Sequence, residues 1–156
     1  MKQPLLLLHG ALGSAAQLKP LEESLSGHFE TRTLNFSGHG GRPLNENDEF
    51  SIRRFAGDVK LYLQESGLKN VPVFGYSMGG YVALYLAATE PGWVGDIFTT
   101  ATKFEWNPES SKKEAGFLDP EKILAKVPAF AEELRKRHAP SDWKRLLKKT
   151  AKMMLE

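Results

Sequence analysis

Residues 71–88 read VPVFGYSMGGYVALYLAA, from Val71 to Ala88. Val71–Gly75 is a short apolar run with β-branched and aromatic side chains, the composition of a buried strand. Met78–Ala88 is largely apolar, which suits a helix packed on a sheet, and Glu90-Pro91-Gly92 ends it. Between them, Gly75-Tyr76-Ser77-Met78-Gly79 fits G-x-S-x-G. A strand-to-helix corner this sharp puts the serine at strained backbone angles, and glycines two positions either side let neighbouring chains approach. The helix N-terminus then directs N–H groups and a positive dipole end at charge developing beside the Ser77 hydroxyl. The plainer alternative is a glycine-rich turn that packs a helix tightly on a sheet.

The flanking sequence repeats the alternation. Leu5–Leu8 is a strand-length apolar run, and Ala15–Leu25 carries Leu18, Leu21 and Leu25 at helical spacing before Gly27. Thr31–Phe36 reads as a second strand, followed by the loop Ser37-Gly38-His39-Gly40-Gly41-Arg42-Pro43. Ser51–Glu65 places Ile52, Phe55, Val59, Tyr62 and Leu63 on one helical face. Asp96–Ala101 supplies a fourth strand. Strand–helix alternation with short loops predicts an α/β fold, a parallel sheet of about four strands with right-handed crossovers. Residues 1–102 form this core. Residues 103–156 show no strand signal and form a second, helical unit: Asp119-Pro120 starts one helix, Pro128 restarts it, and Pro140-Ser141 opens the last.

A second motif, His9-Gly10-Ala11-Leu12-Gly13-Ser14, ends the first strand. Acyl transfer passes through an oxyanion, which needs two N–H donors fixed beforehand. Met78, following the candidate nucleophile Ser77, would supply one, and Ala11 in the loop after an earlier strand the other. His9, Gly10, Gly75 and Gly79 are read as structural, with His9 holding the loop rather than acting as a base.

The HGALGS loop, the SGHGGRP loop and the GYSMGG corner, in this order, resemble the α/β-hydrolase superfamily, and in particular small esterase-like members with a helical cap. The resemblance covers residues 4–102; residues 103–156 resemble the cap inserted after the sixth strand of the family sheet. It implies a partial α/β-hydrolase fold with a C-terminal cap-like segment. It also implies Ser77 as nucleophile, Ala11 and Met78 as oxyanion donors, and an acid and then a histidine later in the chain. Carboxylic-ester or thioester hydrolysis through an acyl-enzyme is the implied activity, without a cofactor or metal. Lyases on the same fold carry a similar corner, so C–C or elimination chemistry stays open.

The later triad members do not stand out. After Ser77 the one histidine is His138, beside Arg135-Lys136-Arg137 near a helix end, where it is expected to meet C-terminal carbonyls. His28 and His39 precede Ser77; His39 is expected at the pocket mouth. Asp96 begins a strand, and Asp119 and Asp142 start helices. The expectation is an N-terminal portion of a longer hydrolase, or a reduced form needing a partner, nearly inactive alone. Strand 96–101 would then be an open edge, covered by the cap-like helices, paired across a dimer or completed by another chain; a non-catalytic module binding through that edge is the alternative.

Lys103, Phe104 and Trp106 follow the fourth strand, where open α/β sheets bind ligands. With Phe117 and Phe130 they could line an apolar acyl pocket bearing one cation; ordinary helix packing with a solvated lysine fits equally. The expected partner is a small apolar acyl ester. The net charge of +2 divides into −2 over residues 1–102 and +4 over 103–156, but interleaved acids make the basic end a solvated helical surface rather than a nucleic-acid or membrane face. The chain contains no cysteine, which excludes disulfides and is compatible with a cytoplasmic location. No apolar window reaches membrane-spanning length, and Leu5–Leu8 is too short for a signal peptide.

Overall fold

Four segments form parallel strands: β1 (Gln3–Leu8), β2 (Phe29–Thr33), β3 (Val71–Tyr76) and β4 (Val94–Thr100). The computed structural model describes residues 2–43 and 45–156; Met1 and Leu44, within the predicted 1–102 unit, lie outside the described residues. The sheet order is β2-β1-β3-β4. Connections therefore change direction between β1 and β3, and the loops at the carboxyl ends of these neighbours flank the switch point where α/β sheets take ligands. Those loops carry Gly10–Ala11 and Ser77.

A 3-10 turn (Ala15–Leu18) leads into α1 (Lys19–Leu25), so the predicted Ala15–Leu25 helix is two pieces, with Pro20 early in the second. Helix α2 (Ile52–Glu65) buries Phe55, Ala56, Val59 and Leu63, and the Ser51 hydroxyl caps it by accepting from the Arg54 N–H. Helix α3 (Met78–Thr89) buries Val82, Ala83 and Leu86. With Leu6, Leu8, Phe36, Val71 and Val73 they form the main core. Each fully buried aliphatic or aromatic side chain contributes about 1.5–3 kcal/mol.

Residues beyond β4 fold as α4 (Pro108–Gly116), α5 (Pro120–Lys126), α6 (Pro128–His138) and α7 (Trp143–Leu155). Asp119 accepts from the Glu121 and Lys122 amides and caps α5. Asp142 caps α7, which starts at Trp143 rather than at Pro140. Helix α4 was not expected, because PESSKKEAG has no apolar stripe; its signal lies in the Asn107 cap and Pro108 at its first position. Ile123, Ala131, Leu134, Trp143 and Leu147 make a second cluster, while Leu146 of α7 joins the main core.

The second strand ends earlier than the predicted Thr31–Phe36. Its pairing with β1 runs from Gln3↔Phe29 to Leu7↔Thr33. Beyond that, Asn35 accepts from the Ala15 amide and donates to Gly40 O, which draws the chain off the sheet. Phe36 is then free to enter the core.

Among the described residues, β4 pairs with β3 alone, so its outer edge is open. Of the alternatives expected for this edge, cover by the C-terminal helices is the one the fold does not adopt: α4 packs on α7, and α5 on α6. Phe98 of β4 stacks on Phe74 at 5.7 Å and remains 66% exposed. No helix among the described residues is long and apolar enough to cross a membrane.

Candidate active site

Ser77 stands between β3 and α3 with φ 51° and ψ −118°, a conformation that non-glycine residues adopt only under constraint. Several hydrogen bonds supply the constraint. The Ser77 N–H donates to Thr100 O at 2.8 Å, and its carbonyl accepts from the Gly80 amide at 3.0 Å and the Thr102 hydroxyl at 2.9 Å. Glycine is required on both sides. A Cβ at Gly75 would strike the Gly80 backbone, and one at Gly79 would lie 2.5 Å from Leu8 O.

The loop after β1 lies directly against this corner: a Cβ at Gly10 would be 3.2 Å from the Ser77 Cβ. The Gly10 carbonyl accepts from His9 Nδ1 at 2.8 Å and from the Gly13 amide at 3.1 Å. Because a trans peptide holds C=O and N–H on opposite sides, the Ala11 N–H points away from both donors. Met78 opens α3, so its N–H has no intrahelical partner.

Ala11, Ser77 and Met78 share an open cavity of about 630 Å³ with Ile52, Tyr81, Thr102, Lys103, Trp106 and Lys112, closed on one side by Met153, Met154 and Leu155 of α7. That volume suits a small organic ligand. Lys103 Nζ pairs with Glu114 at 3.2 Å and lies 4.8 Å from the Trp106 ring centre. Phe104, Phe117 and Phe130 do not line this cavity. Phe104 and Phe117 project into solvent, and Phe130 lines a separate hollow beside Leu12 and Arg137. The α7 methionines were missed because helical periodicity assigns a face to a core without saying which wall it completes.

The histidines are committed elsewhere. His9 is buried; its Nε2 accepts from the Phe36 amide and its Nδ1 holds Gly10. His39 is not at the pocket mouth but fully buried among His9, Phe50, Phe55 and His138. Its Nδ1 donates to Ser37 O at 3.1 Å, and its Nε2 has no partner among the described residues. His138, expected at helix-end carbonyls, is also buried; Nδ1 accepts from the Gly40 amide at 3.1 Å and Nε2 donates to Leu12 O at 3.0 Å. Burial, reinforced by neighbouring imidazole or guanidinium charge, pushes His9 and His138 down to about 4 and His39 to about 3. All three are neutral near pH 7. His28 lies on the surface after α1. Among the described residues the Ser77 hydroxyl makes no side-chain hydrogen bond.

A buried carboxylate that the sequence reading passed over, Asp58, organises the other loop. It accepts from the Ser37 amide at 2.7 Å and hydroxyl at 2.8 Å, and pairs with Arg42 at 3.1 Å. It is fully engaged there, a structural role.

The profile of the alpha/beta hydrolase fold matches residues 3–153. The chain is 28% identical over 119 residues to pimeloyl-[acyl-carrier protein] methyl ester esterase of Aeromonas salmonicida, covering 72% of this chain and 45% of that protein. It is 28% identical over 116 residues to the sn-1-specific diacylglycerol lipase of Xenopus laevis, covering 73% and 35%. A thermophilic esterase from Thermogutta terrifontis superposes with a TM-score of 0.76 at 19% identity, covering 100% of this chain and 64% of the other, a likeness of fold. The chain thus spans about half the length or less of these curated relatives. With its parallel sheet, glycine-flanked corner and profile match together, the chain belongs to the α/β-hydrolase family.

Proposed function

We propose that this chain carries the nucleophile and oxyanion donors of a serine hydrolase acting on carboxylic esters or thioesters with small apolar acyl groups. The observation that carries the reading is Ser77 at φ 51°, at the head of α3 and in one cavity with Ala11 and Met78. Ser77 Oγ attacks the carbonyl carbon while its proton passes to a base. The carbonyl oxygen gains the charge and meets the Ala11 and Met78 amides. Collapse breaks the bond to the leaving alcohol or thiol, which takes the proton, and water then releases the acid from the acyl-enzyme. Ile52, Met78, Tyr81, Trp106 and the α7 methionines offer the acyl group an apolar wall. Relatives named as a methyl ester esterase and a diacylglycerol lipase favour an oxygen ester.

His9, His39 and His138 are buried and hydrogen-bonded away from Ser77, so these 156 residues alone should turn over about four to six orders of magnitude below a complete triad. We infer that acid and base come from outside them, in the same polypeptide or in a chain docking on the open β4 edge. Background reactivity from the oxyanion donors would remain. A fluorophosphonate probe tests the assignment: slow labelling of Ser77, abolished in Ser77→Ala, is expected. Equal labelling of both proteins, or of neither, would remove Ser77 as nucleophile and favour a non-catalytic module that binds through the sheet edge.

A further inference from the structure

The loop after β1 doubles back at Leu12, whose φ is +59°. A leucine there is strained, because its Cβ crowds the following carbonyl, so other contacts must hold it. The Leu12–Gly13 peptide is gripped on both sides. Its N–H, on Gly13, donates to Gly10 O at 3.1 Å. Its carbonyl, on Leu12, accepts from Arg137 Nη1 at 2.9 Å and His138 Nε2 at 3.0 Å. Because His138 Nδ1 accepts from the Gly40 amide, its one proton sits on Nε2, which makes His138 a committed donor. Arg137 and His138 are the last two residues of α6. Arg137 is only 18% exposed and is steadied by Glu133 at 3.6 Å.

These bonds form a chain of fixed planes. Arg137 and His138 place the Leu12 carbonyl, and so the Gly13 N–H. Gly13 and His9 together place the Gly10 carbonyl. The Gly10–Ala11 peptide is planar and trans, so the Ala11 N–H follows.

We propose that Arg137 and His138 are positioning residues for the oxyanion site: the end of α6 clamps the Leu12 carbonyl and thereby aims the Ala11 amide. The helical segment is then a structural part of the acyl-transfer centre, and displacing α6 disarms Ala11 without touching Ser77. The catalytic meaning rests on the Ser77 assignment above; the clamp itself does not.

The test uses Arg137→Met, which keeps an apolar stem and removes the donors, and Arg137→Lys, which restores one. In the 156-residue chain, Gly13 amide exchange should quicken in Arg137→Met by roughly five- to tenfold, the equivalent of one hydrogen bond, and the Ala11 amide resonance should move. Saturation kinetics with the fluorophosphonate should show the maximal labelling rate falling roughly 10- to 100-fold, as expected for a misplaced catalytic group, with unchanged half-saturation. Arg137→Lys should recover most of both. Unchanged Gly13 exchange and Ala11 resonance in Arg137→Met would overturn the clamp, as would faster exchange spread evenly over all amides. A labelling defect confined to half-saturation would overturn its catalytic role. If the wild-type chain resists labelling altogether, the Ser77 assignment fails with the catalytic role, and Gly13 exchange still decides the clamp.

Discussion

The Thr102 hydroxyl donates to the Ser77 carbonyl at 2.9 Å, tying the strained corner to the chain that leaves β4. The Ser77 N–H meets Thr100 O from the same segment, so both backbone polar groups of Ser77 are anchored to it. Thr102→Val keeps the shape and removes the donor. The Ser77 carbonyl keeps the Gly80 amide, so no acceptor is orphaned and the expected loss is about 1 kcal/mol. Calorimetry should show a melting temperature lower by about 2–4 °C. An unchanged melt would mean that the bond adds nothing to the corner.

Gly79 and Gly57 both lie in helices and should respond oppositely to alanine. At Gly79 a Cβ would sit 2.5 Å from Leu8 O and 2.7 Å from His9 O, backbone atoms that cannot step aside. Gly79→Ala should destabilise by about 1–3 kcal/mol or more, as overpacking does. At Gly57, inside α2, a Cβ meets nothing within 4 Å. Gly57→Ala should stabilise by about 0.8–1 kcal/mol through helix propensity. Urea unfolding of the two variants measures both signs.

Stability should fall in mild acid because of the buried imidazoles. His9, His39 and His138 lie with ring centres 5.3 and 5.7 Å apart. Burial lowers the folded-state values to about 4, 3 and 4, while the unfolded chain titrates near 6.5. Between roughly pH 6.5 and 4 the unfolded state therefore binds protons that the folded state does not. The stability is complete above that window and drains as pH falls through it, by up to about 1.4 kcal/mol per pH unit for each histidine. Denaturant midpoints that stay level from pH 7.5 to 4.5 would contradict this. His138→Gln should flatten the slope by about one proton.

The open β4 edge should make the chain associate. Phe98, 66% exposed beside an unpaired strand edge, offers apolar area and unsatisfied backbone groups together. Sedimentation velocity should detect dimers or larger species that shrink to monomer in Phe98→Lys, since an edge lysine discourages strand addition. Equal sedimentation of both proteins, as monomers, would show that the edge recruits no second copy.

Much of the fold is legible in the amino-acid sequence. The strand–corner–helix at 71–88 stands within a residue or two of its expected limits, and Asp119 and Asp142 cap the helices they precede. These features depend on backbone sterics, side-chain period and hydrogen bonds spanning a few residues. The residues proposed for the site were legible to the same extent: Ser77 and Met78 are neighbours in the chain, and Ala11 stands three positions beyond the apolar run Leu5–Leu8. Helix α4 escaped notice because its sequence is polar all round and only its cap announces it.

Local chemistry could not say what lies across a hundred residues. His39 was expected at a pocket mouth, yet it is enclosed by aromatic rings from three segments. His138, which follows a run of three cations in sequence, reaches 98 residues back to Gly40 and 126 to Leu12. Met153 and Met154 close a cavity opposite Ser77 although nothing in their helical spacing points there. A side chain's period says which face it occupies; packing of the whole sheet and its helices decides what that face meets. The strained serine is written in the order of its nearest neighbours, whereas the grip on the loop beside it exists only once α6 has docked.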